Sequence, residues 1–533
     1  MKKNSFMEGA IIATFAIIIS KIIGVLYVIP FYDIIGEKGG ALYGYAYNIY
    51  NMFLIISSAG IPLAISKITS EYETKKEYDK KNAMFEISKR VIYFFSFMSF
   101  FICFLFAKPI ASLILGELSG GNTIEDVTFV IRCVSFALLI VPILSISRGY
   151  LQGHKYITAS SLSQVIEQVV RIAVILIGSY VAIKILHIPL TYAVGISVFS
   201  ACIGAIIGYI YLYFKMRKVK NLKKIDLKTV SKEDKSEIIK KIIGYSIPFI
   251  IINIANSIYN TTDMILLIRG LNIIGYNAAD IETISSIFTT WGSKLISIVN
   301  SFATGLVISL IPSLVAAYTI KNQKEVNMYF NKTLQVLLFI ILPLTIFMSI
   351  FATQIWNVFY GDSYYGPIIF QYTILVAFLD SAYIMICSAL QGLYKTKLIY
   401  IAVILGLLIN LILDLPLIFL FNKLGFYPFY GAITATVIGY TVSLGIPLYS
   451  LYKKDNFSYK ETFKLIPKLL LSVLIISILA LLLKSIIPTP NYRLIKIIYL
   501  GIMALVIFGV YYILNFKIIN SIIGQKVNKI LKK

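Results

Sequence analysis

Charge is scarce in this chain. Only 14% of its 533 residues are charged and 58% are hydrophobic, whereas a soluble globular protein carries roughly 25% charged residues. With a mean hydropathy of +0.84, that shortage excludes an ordinary water-soluble domain. Cysteine is scarcer still. The four present, Cys103, Cys133, Cys202 and Cys387, lie in or beside apolar runs without metal-ligand spacing, so they read as packing residues and exclude a disulfide scaffold. Two histidines, His154 and His187, make no cluster. A Walker loop, an HExxH helix and a GxSxG elbow with partners are all missing. The chain is therefore not expected to be an enzyme or to carry a cofactor. Any work it does must draw on an ion gradient, the membrane potential or the gradient of its substrate.

What the chain has in quantity is apolar runs of about 20 residues, each long enough to cross a hydrocarbon core of about 30 Å. A spanning β-barrel would show alternating strands of about 10 residues instead. The fold class is all-α and polytopic, with about 14 transmembrane helices, at roughly 9–32, 44–67, 91–116, 127–148, 159–183, 191–214, 242–268, 285–318, 333–359, 367–391, 398–421, 431–452, 465–487 and 494–516. The first run is too long for a signal peptide and reads as a retained helix. The net charge of +24 sits in alternate loops, which points to topology and to anionic lipid of the bilayer, with no nucleic acid as partner. Both termini are expected in the cytoplasm.

The most basic loop, 215–241, divides the first twelve spans. The expected organisation is an N-lobe over 1–214, a cytoplasmic basic linker over 215–241, a C-lobe over 242–452, and two extra spans with a basic tail over 453–533. A repeat supports it. Ala107-Lys-Pro-Ile110 followed by Gly116-Glu117 is echoed by Ala352-Thr-Gln-Ile355 followed by Gly361-Asp362, and Leu151-Gln152-Gly153 by Leu390-Gln391-Gly392. Both Leu-Gln-Gly sequences read as short turns between spans. Six spans per half with one starting side imply a parallel repeat.

Ionisable groups inside spans carry the functional information, because each costs several kcal/mol unless paired or wetted. Lys21 lies about 20 Å into the first span. It either faces a wet cavity and attracts an anion or pairs with a carboxylate. Lys294, in the second half, could join it on one phosphate. Ser160, Gln164, Glu167 and Arg171 share a helix face. Glu167 and Arg171, four apart, form either a self-neutralised ion pair or the lining of a cavity mouth. The buried acids are Asp263, Asp380 and Asp414. Asn410 and Asp414, one turn apart, with Thr434 or Thr436 of the next span, offer oxygen ligands to a hard cation or a hydrogen-bonded helix interface. Tyr43, Tyr45, Tyr47 and Tyr50 read as a sugar-binding wall or as an interfacial belt.

Gly60-Ile-Pro-Leu-Ala-Ile-Ser-Lys67, Arg148-Gly-Tyr-Leu-Gln-Gly153 and Ser163-Gln-Val-Ile-Glu-Gln-Val-Val-Arg171 resemble the stage V sporulation protein B family. That family lies in the polysaccharide-exporter and lipid II flippase branch of the multidrug/oligosaccharidyl-lipid/polysaccharide superfamily. The resemblance covers nearly the whole chain. It implies two six-helix lobes around a central cavity, with the two extra spans forming a groove for a lipid tail. It implies export of an undecaprenyl-pyrophosphate-linked cell-wall sugar precursor, of peptidoglycan or a related polysaccharide, by alternating access in the bacterial cytoplasmic membrane. The partner implied is a lipid-linked oligosaccharide, and the chain is expected to act as a monomer. Lys21 and Lys294 match basic cavity positions of such flippases, whereas Tyr27 and Asn48 stand where well-studied ones have Arg. Asp263, Asn410, Asp414 and a threonine of span twelve resemble a sodium site, with Na+ as coupling ion. The expected substrate cavity thus comprises Lys21, Asn48, Glu167, Arg171 and Lys294. The rival readings are a cation-coupled multidrug exporter of the same fold and a non-transporting scaffold for wall or spore-cortex synthesis.

Overall fold

A computed structural model describes residues 16, 20, 23–58, 60–116, 121–217 and 231–516. The elements in it are helices throughout, the form in which a backbone crosses lipid with its hydrogen bonds satisfied inside one segment. The chain separates into two compact units, Met1–Trp291 and Gly292–Lys533. Residues 218–230 of the expected linker lie outside the described residues.

The first unit contains α1 (Val28–Ser58), α2 (Ile61–Thr74), α3 (Tyr78–Leu105), α4 (Ala107–Leu115), α5 (Ile124–Ser135), α6 (Ala137–Gly153), α7 (Ile157–Tyr180), α8 (Leu190–Met216), α9 (Lys232–Ile274) and α10 (Ala278–Ser286). The second contains α11 (Gly292–Thr319), α12 (Gln323–Ile350), α13 (Ala352–Tyr360), α14 (Tyr365–Gly392), α15 (Thr396–Lys423), α16 (Phe429–Lys454), α17 (Lys460–Ile486) and α18 (Arg493–Leu514). Among the described residues ten helices are long and apolar enough to span a membrane. They correspond to the expected spans three to six and nine to fourteen, so the count of fourteen is not established by length and composition. Half of the expected first span, Lys21 included, lies outside the described residues. The expected span 44–67 is broken: α1 ends at Ser58 and α2 starts after Gly60 at φ 75°, in the left-handed region that glycine enters without penalty.

Large apolar side chains such as Phe97, Ile177, Leu481 and Leu505 point outward. In water such a surface would aggregate, but against acyl chains it is the required one. The chain is a multi-pass membrane protein.

The duplication is visible in the backbone. α4 and α13 each run nine residues, start after a phenylalanine (Phe106, Phe351) and stop at a positive-φ glycine (Gly116, Gly361). α2 ends with Lys76 at φ 59° and a bond from Glu77 N to Tyr72 O. α11 ends with Lys321 at φ 54° and a bond from Asn322 N to Ala317 O. The two Leu-Gln-Gly sequences behave alike, and here the expected turn is corrected. Leu151-Gln152-Gly153 and Leu390-Gln391-Gly392 are the last helical residues of α6 and α14. The reversal comes after them, at Lys155 (φ 64°) and Tyr394 (φ 58°). It is closed by bonds from Tyr156 N to Leu151 O and from Lys395 N to Leu390 O. These are the 6→1 bonds of a Schellman end, which satisfy carbonyls the helix leaves open.

In the first unit α6 lies close against α2. A Cβ at Gly149 would sit 2.3 Å from the Pro62 carbonyl oxygen, and one at Gly153 would sit 2.6 Å from that of Ser66. Around that contact Ile65, Ile68 and Tyr72 of α2, Phe85 of α3, Leu144 and Tyr150 of α6 and Leu212 of α8 form the core. Lys81 is fully buried, with Nζ 2.9 Å from Glu73 Oε2 and over the Tyr78 ring. In the second unit the extra helices α17 and α18 are tied down by cations on helix-end carbonyls. Lys484 Nζ donates to Ile350 O (2.6 Å), and Arg493 donates to Val358 O and Phe359 O, where the negative ends of α12 and α13 favour positive charge.

A β-carbon at Gly149 cannot be accommodated without moving backbone. Gly149→Ala is expected to cost about 1–3 kcal/mol, seen as a lower melting temperature in detergent. Gly445→Ala on α16, where a Cβ would meet nothing within 4 Å, should leave it level or higher. Glu71 accepts from Lys75 Nζ (2.8 Å) and Lys241 Nζ (3.2 Å). The Lys75 hydrogen bond, foremost, holds its carboxyl below the ordinary value. The folded pKa is depressed, so this stabilisation is present above the unfolded carboxylate pKa of about 4.3 and is lost as pH falls through the folded value. Thermal melts from pH 7 to about pH 3 should show Glu71→Gln converging on the wild type at the acid end, with a gap at pH 7 of about 2 °C or less because the pair is partly exposed.

Candidate functional site

The stretch Arg148–Arg171 forms the end of α6 and most of α7, and it stitches itself together. Arg148 Nε donates to Ser163 Oγ (2.7 Å), and its Nη2 lies 2.7 Å from Glu167 Oε2. Gln152 Nε2 donates to Ser160 Oγ (2.9 Å). Gly204 of α8 comes close enough that a Cβ would be 2.8 Å from Glu167 O and 3.2 Å from Arg171 Cβ. That close approach packs α8 against the side of α7 that carries Glu167 and Arg171.

Of the two readings of Glu167 and Arg171, the self-neutralised pair is not the one seen: Glu167 pairs with Arg148. Arg171 has no carboxylate within ion-pair distance among the described residues. Its Nη2 donates to Tyr47 Oη (2.6 Å) and Tyr43 Oη (3.3 Å), and the guanidinium lies 4.9 Å from the Tyr47 ring centre. Tyr43 stacks on Tyr47 at 5.4 Å, Tyr50 leans on Tyr47, and Tyr27 is hydrogen-bonded to Tyr43. Phenol oxygens and a π-face are what a guanidinium accepts when no anion is offered. The interfacial-belt reading therefore fails for these tyrosines. Tyr43, Tyr45 and Tyr50 are buried inside the unit, and Tyr47 is half-buried against Arg171. The cluster carries the full positive charge of Arg171, since Arg148 and Glu167 cancel.

Asn48, next to Tyr47, is half-buried, and its Nδ2 lies 3.5 Å from Met264 Sδ on α9. Asp263, the residue before, is half-buried in the same unit. Lys21 lies outside the described residues. One turn further on, Gly24 faces Gln168 of α7, whose Nε2 would stand 3.2 Å from a Cβ there.

In the second unit Lys294 is half-buried near the start of α11. Asn410 and Asp414 are both fully buried on α15. Two glycines let α16 lie against that helix: Gly431 touches the backbone of Leu417 and Ile418, and Gly406 touches Gly439 and Ser443. This antiparallel register sets Thr434 and Thr436 level with Asp414 and Asn410. Both threonines donate to their own helix, to Tyr430 O (2.7 Å) and Ala432 O (3.0 Å), which leaves oxygen lone pairs for another partner. The buried amide of Asn410 makes no hydrogen bond among the described residues. A buried amide in that condition calls for an occupant, and a hard cation fits the oxygen-rich set of Asn410, Asp414, Thr434 and Thr436. The sequence reading missed Arg148, Tyr43 and Tyr47 as partners of the expected residues, and it left Asp380 outside the site. A charge within the apolar run of α14 was the available signal.

Comparison with known proteins accords with this architecture. Residues 6–302 match the Polysaccharide biosynthesis protein family, and residues 289–415 match MatE. The lipid II flippase MurJ of Bacillus subtilis (strain 168) is 33% identical over 465 residues, 86% of this chain and 84% of that protein. Stage V sporulation protein B of the same organism is 22% identical over 365 residues, 68% of each. In three dimensions the chain is similar to a lipid II flippase MurJ in an inward closed conformation (TM-score 0.67, 17% identity, covering 94% of this chain and 99% of that one). It is also similar to an inward-facing multidrug resistance MATE family transporter of the MOP superfamily (TM-score 0.66, 15% identity, covering 82% and 95%). With a family match across more than half its length and a relative 33% identical over most of both chains, the chain belongs to the polysaccharide biosynthesis protein family.

Proposed function

We propose that this protein is a flippase that carries a lipid-linked cell-wall sugar precursor, undecaprenyl-pyrophosphate-linked and of the lipid II type, across the cytoplasmic membrane by alternating access. The observation that carries the reading is Arg171, a cation inside a membrane unit whose partners are phenols rather than a carboxylate. Such a charge is retained where an anion must be met, and a diphosphate can displace weak phenol acceptors with bidentate, charge-assisted bonds. Tyr27 and Asn48 stand where flippases of this kind carry arginine, and Tyr27 belongs to the cluster around Arg171. In this reading Arg171 supplies the charge those two positions lack. Lys21, on the same unit, would add to it. The tyrosine faces suit the sugars, and the lipid tail stays in the bilayer.

Asn410, Asp414, Thr434 and Thr436 would hold a sodium ion, and the ion would supply the driving force. The chain would act as a monomeric carrier rather than as an enzyme, with both termini on the cytoplasmic side, the side the positive-inside rule assigns to the basic loops.

The match of residues 289–415 to MatE favours one second reading, a cation-coupled drug exporter. Such a protein needs a negative binding site, which an uncompensated arginine opposes.

The test is a flipping assay with the full-length protein in vesicles, comparing lipid II with other polyprenyl-linked sugars. Lipid II should be transported, and faster with a sodium gradient. Arg171→Gln should lower the rate at least about tenfold, in line with one lost charge-assisted contact of about 1.5–3 kcal/mol. Arg171→Lys, which keeps charge but loses the fork, should fall between. Transport of cationic drugs with no effect on lipid II would establish the exporter instead. Asp414→Asn should abolish the sodium stimulation while leaving sodium-free transport in place. Lys21→Ala or Lys294→Ala that still complements a flippase-depleted strain would favour the scaffold.

A further inference from the structure

We propose that Asp380 is a proton-binding site of the second unit, separate from the oxygen-rich set on α15 and α16. Asp380 lies in the middle of α14, a helix of 28 residues, and so about 20 Å along the axis from its nearer end. Asn300 Nδ2 donates to Asp380 Oδ2 (2.6 Å), and Tyr440 Oη donates to Oδ1 (3.1 Å). Ser381 Oγ donates to Asn300 Oδ1 (2.9 Å). The carboxyl thus ties α11, α14 and α16 together. Among the described residues no Lys, Arg or His lies within ion-pair distance of it. The groups that face it are Asn300 from α11, Tyr440 from α16, and Ser381 and Cys387 from its own helix. Lys294 is about 9 Å further along α11.

Two neutral hydrogen bonds offset only part of the cost of a lone carboxylate in this setting. A full countercharge is missing, and the chemistry of the neighbours says which kind can be supplied. Asn300 has its carbonyl oxygen engaged by Ser381, so it presents N–H to Asp380. Tyr440 presents O–H. A hard cation needs oxygen lone pairs turned inward, and the two partners turn protons inward. A proton needs only one carboxylate lone pair, and of the roughly four on the two oxygens the bonds from Asn300 and Tyr440 use two. Binding forms one O–H bond on Asp380, removes the buried negative charge and takes the proton from the aqueous phase. The bond from Asn300 or Tyr440 to the newly protonated oxygen weakens, which loosens α14 from α11 or α16.

The contrast with α15 is chemical. Beside Asn410 and Asp414 the threonine hydroxyls spend their protons on their own helix, whereas around Asp380 the donors converge. One helix serves both places, because Thr436 and Tyr440 are four apart on α16 and so share a face. Two cations of different kinds, a hard ion and a proton, therefore act on the same helix. This assignment does not depend on what the protein transports.

The experiment is infrared difference spectroscopy on the full-length chain in liposomes, with isotope-labelled aspartate, over about pH 9 to about pH 5. The wild type should show a protonated-carboxyl band that grows reversibly as the pH falls. Asp380→Asn should lose that single titrating band, and Asp414→Asn should keep it. Should Asp380→Asn not fold, Tyr440→Phe carries the test: it removes a donor without removing the carboxyl, and the midpoint of the band should move. Sodium added at fixed pH should leave the band unchanged. A band that survives in Asp380→Asn, a carboxyl that stays ionised across the range, a midpoint indifferent to Tyr440→Phe, or a sodium-dependent change in the Asp380 band would each overturn the proposal. Because no transport is measured, these outcomes are separate from any failure of the flippase reading.

Discussion

The cost of holding charge away from water organises this molecule. In a hydrocarbon slab each charge must be cancelled, wetted or kept for a ligand, and the chain shows each solution at a named place. Arg148 and Glu167 cancel each other across the α6–α7 hairpin. Lys81, itself fully buried, is cancelled by the partly exposed Glu73. Lys484 and Arg493 reach the carbonyl ends of α12 and α13, where the helix supplies partial negative charge without an acid. Among the described residues, Arg171 and Asp380 have no group of opposite charge within ion-pair distance; their partners are neutral. One is met by phenol oxygens and the other by hydrogen-bond donors.

Small residues make this arrangement geometrically available. Gly149 and Gly153 bring α6 onto α2, Gly204 brings α8 onto α7, and Gly406 and Gly431 bring α16 onto α15. Between membrane helices there is little hydrophobic gain in association, so close backbone approach and interhelical polar contacts carry it. The polar clusters described here stand beside these glycine contacts. The position of Glu167 and Arg171 relative to α1, and of the threonines relative to Asp414, is set by them.

The duplicated backbone gives the two units related skeletons and different chemistry. The ends of α2 and α11, the short helices α4 and α13, and the reversals after α6 and α14 share the same dihedrals and hydrogen bonds. Yet α7 carries the uncompensated arginine, and its counterpart α15 carries Asn410 and Asp414. The repeat shares the scaffold's turns, while the polar residues on equivalent helices differ: Glu167 and Arg171 in one unit, Asn410 and Asp414 in the other.

Helix content, the membrane setting, the duplication and the residues worth attention were legible in the order of residues, because hydropathy and the energetic penalty on buried charge are local properties that a linear pattern records. Glu167, Arg171, Asn410, Asp414 and the threonines all stood out in that way. Partnership was not legible. Sequence spacing favoured Glu167 with Arg171, but a side chain finds its mate across helices, and Arg148 and the α1 tyrosines were nearer in space. The same limit placed the Leu-Gln-Gly turns three residues early, because the Schellman bond that ends those helices joins residues whose geometry no propensity reveals. It also left Asn300 and Tyr440 unconnected to Asp380. Composition and periodicity determined what had to be buried; only the packing of one helix on another decided which group would neutralise which, since that depends on distances of a few ångströms between residues far apart in the chain.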